Sequence, residues 1–360
     1  MASPRKVLVV GGGLVGNSVT ILLRKAGSEV RLVEADPTWG AVGSGIMLQG
    51  NALTVLREVG VWDELSRYVA ILPGPGTNLV LGDPDLPPGC GAYRPKLQGI
   101  LTRAVLASGA DVRLGVTFET IHDAGDGIDV TFTDGSSDHY DLLIGADGIR
   151  SKTRAAIGHT TTPTGTGLGI WRAYSTRPAE VDTSTVQHGK PHLISGYTPT
   201  GPDNLYAFIV ERVREPGQVP PVAEWDAEFR RLAEPLTGAW PEIVAGIKGP
   251  EQMNYTPFEW LLLDRPWPRG RAILVGDAMH ACPPTLAQGA AMGLEDASVL
   301  VRELQDNREL GVALNKFEER RYNRIRTVVT TSVAICDALK EGKQSMGTYF
   351  EVFKALAEKP

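Results

Sequence analysis

Cysteine is scarce in this sequence of 360 residues, which contains Cys90, Cys282 and Cys336 and no others. Three cysteines do not build a disulfide framework, and so low a content is typical of a reducing compartment. No apolar run reaches the roughly 18 residues of a membrane-spanning helix. The first residues lead into a strand without the apolar segment of a signal peptide. We therefore expect a cytoplasmic protein with no membrane partner.

An excess of basic residues is also missing. Lys and Arg number 36 against 42 Asp and Glu, which gives a formal net charge of -6. This balance argues against nucleic acid as a partner. Histidines, cysteines and carboxylates show no metal-site spacing, so we expect no bound metal. The hydrophobic content of 42% and the charged content of 22% are those of a soluble globular protein with an ample core.

Apolar runs typical of buried parallel strands occur in three separate parts of the chain. Together with the helical patterns beside them, they predict strands over residues 6–10, 29–34, 141–146 and 271–275, and helices over 17–26 and near 290–305. Between about residues 166 and 263 the pattern changes to the alternation of an antiparallel sheet. A last helical region covers about 315–338.

This order predicts an α/β fold: a discontinuous Rossmann-like domain, an inserted antiparallel-sheet substrate domain and a C-terminal helix. The Rossmann-like domain would comprise residues 1–72, 93–165 and 266–314, the substrate domain 73–92 and 166–265, and the C-terminal helical region 315–360.

The first strand runs into a glycine-rich turn that carries Gly11, Gly13 and Gly16. Gly11 permits the tight turn, and Gly13 lets the backbone approach a pyrophosphate at the following helix N-terminus. Glu34 ends the next strand, where its carboxylate can accept hydrogen bonds from ribose hydroxyls. Because strand, turn, helix, strand and acid are all present, the segment predicts a dinucleotide site, with NAD and FAD both open.

Two later strands also end on acids. Asp147 follows the strand over 141–146, and Asp277 follows the strand over 271–275. Taken alone, each of these two segments would be interpreted as an ordinary strand that ends in a turn. A helix that begins near Gln288 could stabilise negative charge on a ligand through its positive end.

Gly-x-Gly-x-x-Gly at 11–16, Asp147-Gly148 and Gly276-Asp277, in this order, resemble the single-component FAD-dependent aromatic hydroxylases with the para-hydroxybenzoate hydroxylase fold. The pattern is closest to the urate hydroxylase and 6-hydroxynicotinate 3-monooxygenase types. The resemblance covers nearly the whole chain and is most specific from Gly276 to Gly289. Arg94 and the helix motif Phe317-Glu318-x-x-Arg321-x-x-Arg324 also match the family.

The resemblance implies bound FAD, held around the adenosine ribose by Glu34 and along the ribityl chain by Asp277, with Asp147 serving both FAD and NAD(P)H. The Pro284 carbonyl would lie near the reactive flavin edge and count as catalytic. The full set of implied cofactor residues is Gly11, Gly13, Leu14, Val15, Gly16, Glu34, Ala35, Met47, Arg94, Asp147, Asp277, Pro284, Gln288, Gly289, Ala290 and Ala291.

The family implies an NAD(P)H-consuming monooxygenase that hydroxylates a small aromatic or heteroaromatic molecule with O₂ through a flavin C4a-hydroperoxide. Alternatives are a flavin-dependent halogenase, a prenyl reductase of related fold, or a non-catalytic flavin-binding protein. Trp39 and Trp62 do not form the halogenase Trp-x-Trp-x-x-Pro element. We expect a monomer or homodimer.

The sequence has no motif that identifies the residues in contact with the substrate. His192 is predicted to begin a strand of the inserted sheet, and Tyr206 lies on the next strand. We expect both side chains on the flavin side, as catalytic residues that polarise a substrate hydroxyl. Sheet packing is the simpler interpretation for both. Arg172 could pair with a substrate carboxylate, although a solvated sheet face is the simpler interpretation there.

Overall fold

The computed structural model describes residues 4–40, 43, 45–73, 80–215, 218–343, 346–358 and 360. Its strands are β1 Lys6–Val10, β2 Glu29–Glu34, β3 Gly45–Gln49, β4 Ala70–Leu72, β5 Gly89–Tyr93, β6 Asp111–Leu114, β7 Phe118–Asp123, β8 Ile128–Phe132, β9 Ser137–Tyr140, β10 Leu142–Gly145, β11 Thr164–Thr176, β12 Thr185–His188, β13 Ile194–Pro199, β14 Asn204–Arg212, β15 Met253–Trp260 and β16 Ala272–Leu274. Its α-helices are α1 Leu14–Lys25, α2 Gly50–Val59, α3 Trp62–Leu65, α4 Arg94–Ala107, α5 Lys152–Ala156, α6 Trp225–Ala233, α7 Trp240–Ala245, α8 Asp277–His280, α9 Gly289–Asp306, α10 Leu310–Lys340 and α11 Met346–Leu356. Within the described part of the chain, no helix has the length and apolarity needed to cross a membrane.

A five-stranded parallel sheet forms the base of the molecule, with the order β16-β10-β1-β2-β6. The residues of β1 from Val7 on, and the whole of β10, are buried, as expected for parallel strands covered on both faces. The sheet unites strands that lie more than 200 residues apart in the sequence. The predicted discontinuous Rossmann-like lobe is therefore confirmed.

The inserted sheet is antiparallel, with the order β12-β13-β14-β11-β15. Successive side chains on a strand alternate between the two faces. One face packs beneath α6 and α7, where Trp171, Leu205 and Phe229 belong to one hydrophobic core. The other face carries Tyr206 and Phe208, which are half-buried. The two faces therefore serve different purposes, one as core and one as a surface toward the rest of the molecule.

A small sheet of order β3-β5-β4 joins residues on both sides of the predicted boundary after residue 72. It meets the inserted sheet so closely that a Cβ on Gly91 would lie 1.9 Å from the Pro199 carbonyl oxygen. The division into domains stays a prediction. The fourth sheet, β7-β8-β9, lies within the stretch assigned to the Rossmann-like lobe.

Two long helices complete the molecule. The buried face of α9 packs on α1, α2 and α10. The helix α10 extends beyond the predicted 315–338 at both ends, because apolar side chains from Ala313 to Leu339 continue its buried stripe. Both helices carry charged residues whose side chains are buried in the core.

Candidate active site

The acids predicted from the sequence share one edge of the parallel sheet. Strands β1, β2, β10 and β16 run in the same direction, so their carboxyl ends lie together. Gly11, Glu34, Asp147 and Asp277 stand at or just beyond these ends. This edge is where open α/β sheets bind their ligands.

The glycine-rich turn is shaped by close backbone contacts. Gly11 has a φ of 102°, and a Cβ there would lie 2.5 Å from the Ala146 carbonyl oxygen. A Cβ on Gly16 would lie 1.9 Å from the Gly11 oxygen, so α1 can approach β1 only with glycine at this position. A Cβ on Gly13 would meet no atom of the described residues within 4 Å. Gly13 precedes the first turn of α1, which has no acidic residue, so the helix N-terminus is open to an anion.

Glu34 is fixed beside this turn. Its Oε2 accepts a hydrogen bond from the Gly12 N–H at 2.6 Å, and its Oε1 accepts one from the Asp36 N–H at 2.8 Å. The Gly12 carbonyl oxygen accepts from Trp39 Nε1 at 2.9 Å and from Gln98 Nε2 at 2.7 Å. The half-buried carboxylate keeps lone pairs for a ribose hydroxyl.

Asp277 is the first residue of α8, directly after Gly276. Its side chain is exposed, yet surrounding protein raises the pKa of its carboxyl by burial, against the opposing charges of His280 and Arg94. A group that water reaches while protein surrounds it lies in a concave cleft. Arg94, the first residue of α4, lies within electrostatic reach of Asp277.

The Asp147 side chain is hydrogen-bonded to residues that follow it closely in the sequence. Its carboxylate accepts hydrogen bonds from Ser151 Oγ at 2.5 Å and from the N–H and Oγ1 of Thr153, both at 2.9 Å. These bonds fix the loop that leads into α5. A contact between Asp147 and a cofactor stays a prediction.

Pro284 begins a short 3₁₀ turn and is exposed. Ala287 follows with a φ of 52°, and the chain then enters α9. The Gln288 side chain is fully buried, where it accepts from Asn51 Nδ2 at 3.0 Å and donates to Gln49 Oε1 at 2.5 Å. Because that side chain is occupied, Gln288 could meet a cofactor only through its backbone.

The remaining residues assigned to the cofactor are accessible except Ala291. Ala35 is exposed next to Glu34, and Leu14 and Val15 are half-buried in the first turn of α1. Met47 is half-buried on β3. Gly289 and Ala290 are half-buried and Ala291 is buried in the first turn of α9. The first N–H groups of this helix have no intrahelical acceptor, so they could meet an electron-rich group.

A buried charge cluster anchors α9 behind this turn. It consists of Asn51, His280, Glu295, Asp296, Arg321 and Arg324. Arg321 donates to Glu295 Oε2 at 2.6 Å and to Asp296 Oδ1 at 2.8 Å. Asp296 Oδ2 lies 2.5 Å from His280 Nε2 and accepts from the Gly276 N–H at 2.9 Å. The cluster thus ties α9 and α10 to the strand end that carries Asp277.

The cleft side of the inserted sheet is aromatic. Tyr174 and Tyr206 are paired neighbours on β11 and β14, and Tyr93 stacks on Tyr174 with 4.3 Å between ring centroids. A Cβ on Gly45 would lie 2.2 Å from Cδ1 of Tyr206, so β3 runs against that ring. Burial raises the pKa of the Tyr206 phenol and Arg172 lowers it, with burial the larger effect. The phenol is therefore a hydrogen-bond donor at neutral pH.

The predicted position of His192 is wrong. His192 precedes β13, and its Nε2 lies 2.7 Å from the Leu232 carbonyl oxygen of α6, on the face away from the cleft. Thr198, not His192, pairs with Tyr206. His192 lies outside β13, whereas Thr198 lies within it. The two residues therefore do not share a site.

FAD fits the residues at this edge. The open N-terminus of α1 and the acid on β2 are the features of a dinucleotide site, Asp277 adds an accessible carboxylate, and no side chain of the described residues fills the space beside Gly13. Among the described residues, no group of three or more His, Cys, Asp or Glu side chains could hold a metal ion.

Comparison with known proteins agrees with this geometry. The chain belongs to the family described as FAD binding domain, whose profile matches residues 5–332. It is 32% identical over 310 residues to a 2-heptyl-3-hydroxy-4(1H)-quinolone synthase of Pseudomonas aeruginosa, which covers 82% of this chain and 80% of that protein. It is 27% identical over 364 residues to a 6-hydroxynicotinate 3-monooxygenase of Bordetella bronchiseptica, with 92% and 91% covered.

Among solved structures, a variant of 2-methyl-3-hydroxypyridine-5-carboxylic acid oxygenase superposes with a TM-score of 0.80 at 26% identity, over 97% of this chain and 96% of that one. The predicted family is confirmed. The chain is an FAD-dependent monooxygenase of the aromatic hydroxylase type.

Sequence reasoning missed two groups of residues. Tyr93 and Tyr174 escaped notice, although Tyr174 is two positions from Arg172 and a period of two marks a shared face. The buried partners of Arg321 were also missed. Glu295 and Asp296 are adjacent acids on the buried side of α9, and such acids signal buried cationic partners.

Proposed function

We propose that this chain hydroxylates a small aromatic or heteroaromatic substrate, with NAD(P)H as reductant and O₂ as the oxygen source. One observation carries the proposal: a single residue, Arg94, links the dinucleotide edge to the aromatic sheet face. Arg94 lies within electrostatic reach of both Asp277 on one side and Arg172 on the other. The names of the quinolone synthase and the hydroxynicotinate monooxygenase support a heteroaromatic substrate.

Each side of the cleft would have its own task. The turn at Gly13, the Glu34 carboxylate and Asp277 would hold the FAD, whose flavin supplies oxygen activation when bound. The first turn of α9 would place backbone N–H groups at the electron-rich edge of the ring. The stacked Tyr93 and Tyr174 rings would cover the cleft, and the protonated Tyr206 phenol would orient a substrate hydroxyl by hydrogen bonding.

The first experiment is identification of the chromophore and product. The purified protein should release FAD and not FMN on acid treatment. NAD(P)H oxidation should be stimulated by members of a panel of phenols, hydroxypyridines and hydroxyquinolines, with a product that gains one oxygen atom. Halogenation of the product, reduction of a prenyl chain, or flavin binding without any stimulated oxidation would each replace this proposal by the corresponding alternative.

The second experiment tests Tyr206. Tyr206→Phe should lower product formed per NAD(P)H consumed and slow hydroxylation by roughly 10²–10⁴-fold, the usual contribution of a positioned proton donor or acceptor. FAD content should stay unchanged. Tyr197→Phe is the matched control, since that ring packs 5.9 Å from Trp240 on the opposite face of the sheet. Equal coupling in the two variants would leave Tyr206 as packing alone.

A further inference from the structure

Arg172 projects from β11 into the cleft. Its neighbours Trp171 and Ala173 belong to the core beneath α6 and α7, so the alternation of the strand turns Arg172 to the other face. On that face it lies within electrostatic reach of Tyr206 and Arg94, and its Nη1 donates to Thr256 Oγ1 at 2.9 Å. Arg172 as a whole is half-buried, so the solvated sheet face that was the simpler interpretation of the sequence is wrong.

No carboxylate of the described chain lies within ion-pair distance of this guanidinium. The residues outside the description contain no Asp or Glu that could serve instead. Arg214 shows the contrast on the opposite face of the same sheet, where it pairs with Glu211 at 2.6 Å and Glu228 at 2.5 Å. The fold thus supplies two acids to one arginine and none to the other.

A desolvated cation without a counter-ion is unfavourable, and proteins usually pair such a group or neutralise it. Burial lowers the pKa of Arg172 to about 10, with Arg94 acting in the same direction. At neutral pH the group therefore remains protonated. An anionic oxygen that entered the cleft would relieve this unfavourable charge and could accept hydrogen bonds from the other N–H groups of the guanidinium.

We infer that Arg172 recognises an anionic oxygen on the aromatic substrate and so selects for anionic substrates. The oxygen belongs either to a carboxylate or to an ionised ring hydroxyl. This inference rests on the proposed function, since it places the substrate beside Tyr206. Arg172 then determines specificity: its loss weakens binding of anions far more than binding of neutral rings of the same shape.

The test compares FAD-loaded wild type with Arg172→Gln and with Arg212→Gln. Arg212 is the matched control, because it lies on β14 of the same sheet, is exposed, and donates to the Lys340 carbonyl oxygen at 2.9 Å. The probes are two isosteric pairs, benzoate with benzamide and nicotinate with nicotinamide. Dissociation constants come from the flavin absorbance change and, independently, from tryptophan fluorescence.

Wild type and Arg212→Gln should bind each anion roughly 10- to 100-fold more tightly than its amide, the range of a charge-assisted hydrogen bond. Arg172→Gln should lose this preference and keep its affinity for the amides. The second arm uses 4-nitrophenol, whose absorbance reports its ionisation. Wild type should lower the pKa of the bound phenol and Arg172→Gln should not. The arm that responds identifies a carboxylate or an ionised hydroxyl as the recognised group.

Three results would overturn the inference. They are equal affinity of wild type for anions and neutral rings in both arms, an unchanged preference in Arg172→Gln, and the same loss in Arg212→Gln. If Arg172→Gln fails to fold, Arg172→Met replaces it; if neither folds, the arginine is a structural residue and the inference is wrong. FAD content and NAD(P)H oxidation are measured separately, so failure of the proposed function leaves the anion preference measurable.

Discussion

Replacement of Arg321 by methionine is expected to cost far more free energy of unfolding than the loss of a surface ion pair. Arg321 is fully buried, and besides its two carboxylate partners its Nη2 donates to the Met292 carbonyl oxygen at 3.0 Å. Methionine keeps an apolar stem of similar length but leaves Glu295 and Asp296 without this cation. Removal of one partner of a buried ion pair costs about 3–5 kcal/mol, a large share of the about 5–15 kcal/mol that stabilises a typical protein.

The assay is urea unfolding followed by tryptophan fluorescence at neutral pH. Arg302→Met is the control, since Arg302 also lies on α9 and pairs with Glu58 at 2.8 Å, but with side-chain exposures of 45% and 30%. Loss of such a pair costs about 1 kcal/mol or less. If Arg321→Met lost no more stability than Arg302→Met, the cluster would not anchor α9 in the way described.

The pH dependence of the stability lost in Arg321→Met tests whether the buried ion pairs are its cause. Burial alone raises the pKa values of Glu295 and Asp296, but Arg321 and the other charged partners outweigh it, so both pKa values lie below the ordinary range. In wild type this stabilisation is present above the ordinary carboxyl pKa and is lost as the pH falls through the lowered value. Removal of Arg321 takes away one of the main opposing charges, so both pKa values rise. The deficit should therefore be largest at neutral pH and shrink on acidification; a deficit constant from about pH 7 to about pH 4 would refute the reasoning.

Three further predictions concern single positions. Asp277→Ala should weaken FAD binding roughly 10- to 100-fold with the fold retained; equilibrium dialysis that gives parental affinity would place the carboxylate away from the cofactor. Gly16→Ala should prevent folding of the dinucleotide lobe because of its 1.9 Å contact, whereas Gly13→Ala should fold; equal circular dichroism spectra and melting temperatures would contradict this. Hydrogen bonding to Arg231, with help from Arg214, lowers the pKa of Glu228 to about 2, so this carboxylate contributes stability that is lost from about pH 4.5 to about 2. Glu228→Gln should remove that part of the acid transition, as measured by urea unfolding against pH.

The dinucleotide side could be predicted from the sequence because its requirements are local. Gly11, Gly13 and Gly16 lie within six residues, and Gly11 and Gly16 are required there by close contacts with backbone atoms, Gly11 also by its positive φ. Glu34 follows at the end of the next strand, where the βαβ unit places it. Short-range geometry therefore determined this half of the site, and the strands that carry it appear close to their predicted bounds.

The substrate side could not be predicted in the same way, because the covered face of an antiparallel sheet depends on distant parts of the chain. His192 turned to the carbonyl oxygen of Leu232, which is 40 residues away. For Arg172 the sequence left a substrate carboxylate and a solvated sheet face open, with the solvated face as the simpler interpretation, but Arg94 and Tyr206 from other elements lie within electrostatic reach of it. Neither outcome follows from the period of the strand, which divides residues between two faces without saying what covers each face.

Because the two sides of the site are formed differently, they should respond differently to substitution. On the dinucleotide side the backbone itself makes the decisive contacts, so a change at Gly11 or Gly16 collides with main-chain atoms that have no alternative position. On the substrate side, Arg172 and Tyr206 are side chains on strands whose alternate residues already form a complete core beneath α6 and α7. Substitutions there alter the cleft without disturbing that core or the FAD edge. We therefore expect variants at these two positions to change which aromatic ring is hydroxylated while FAD affinity stays at the parental value.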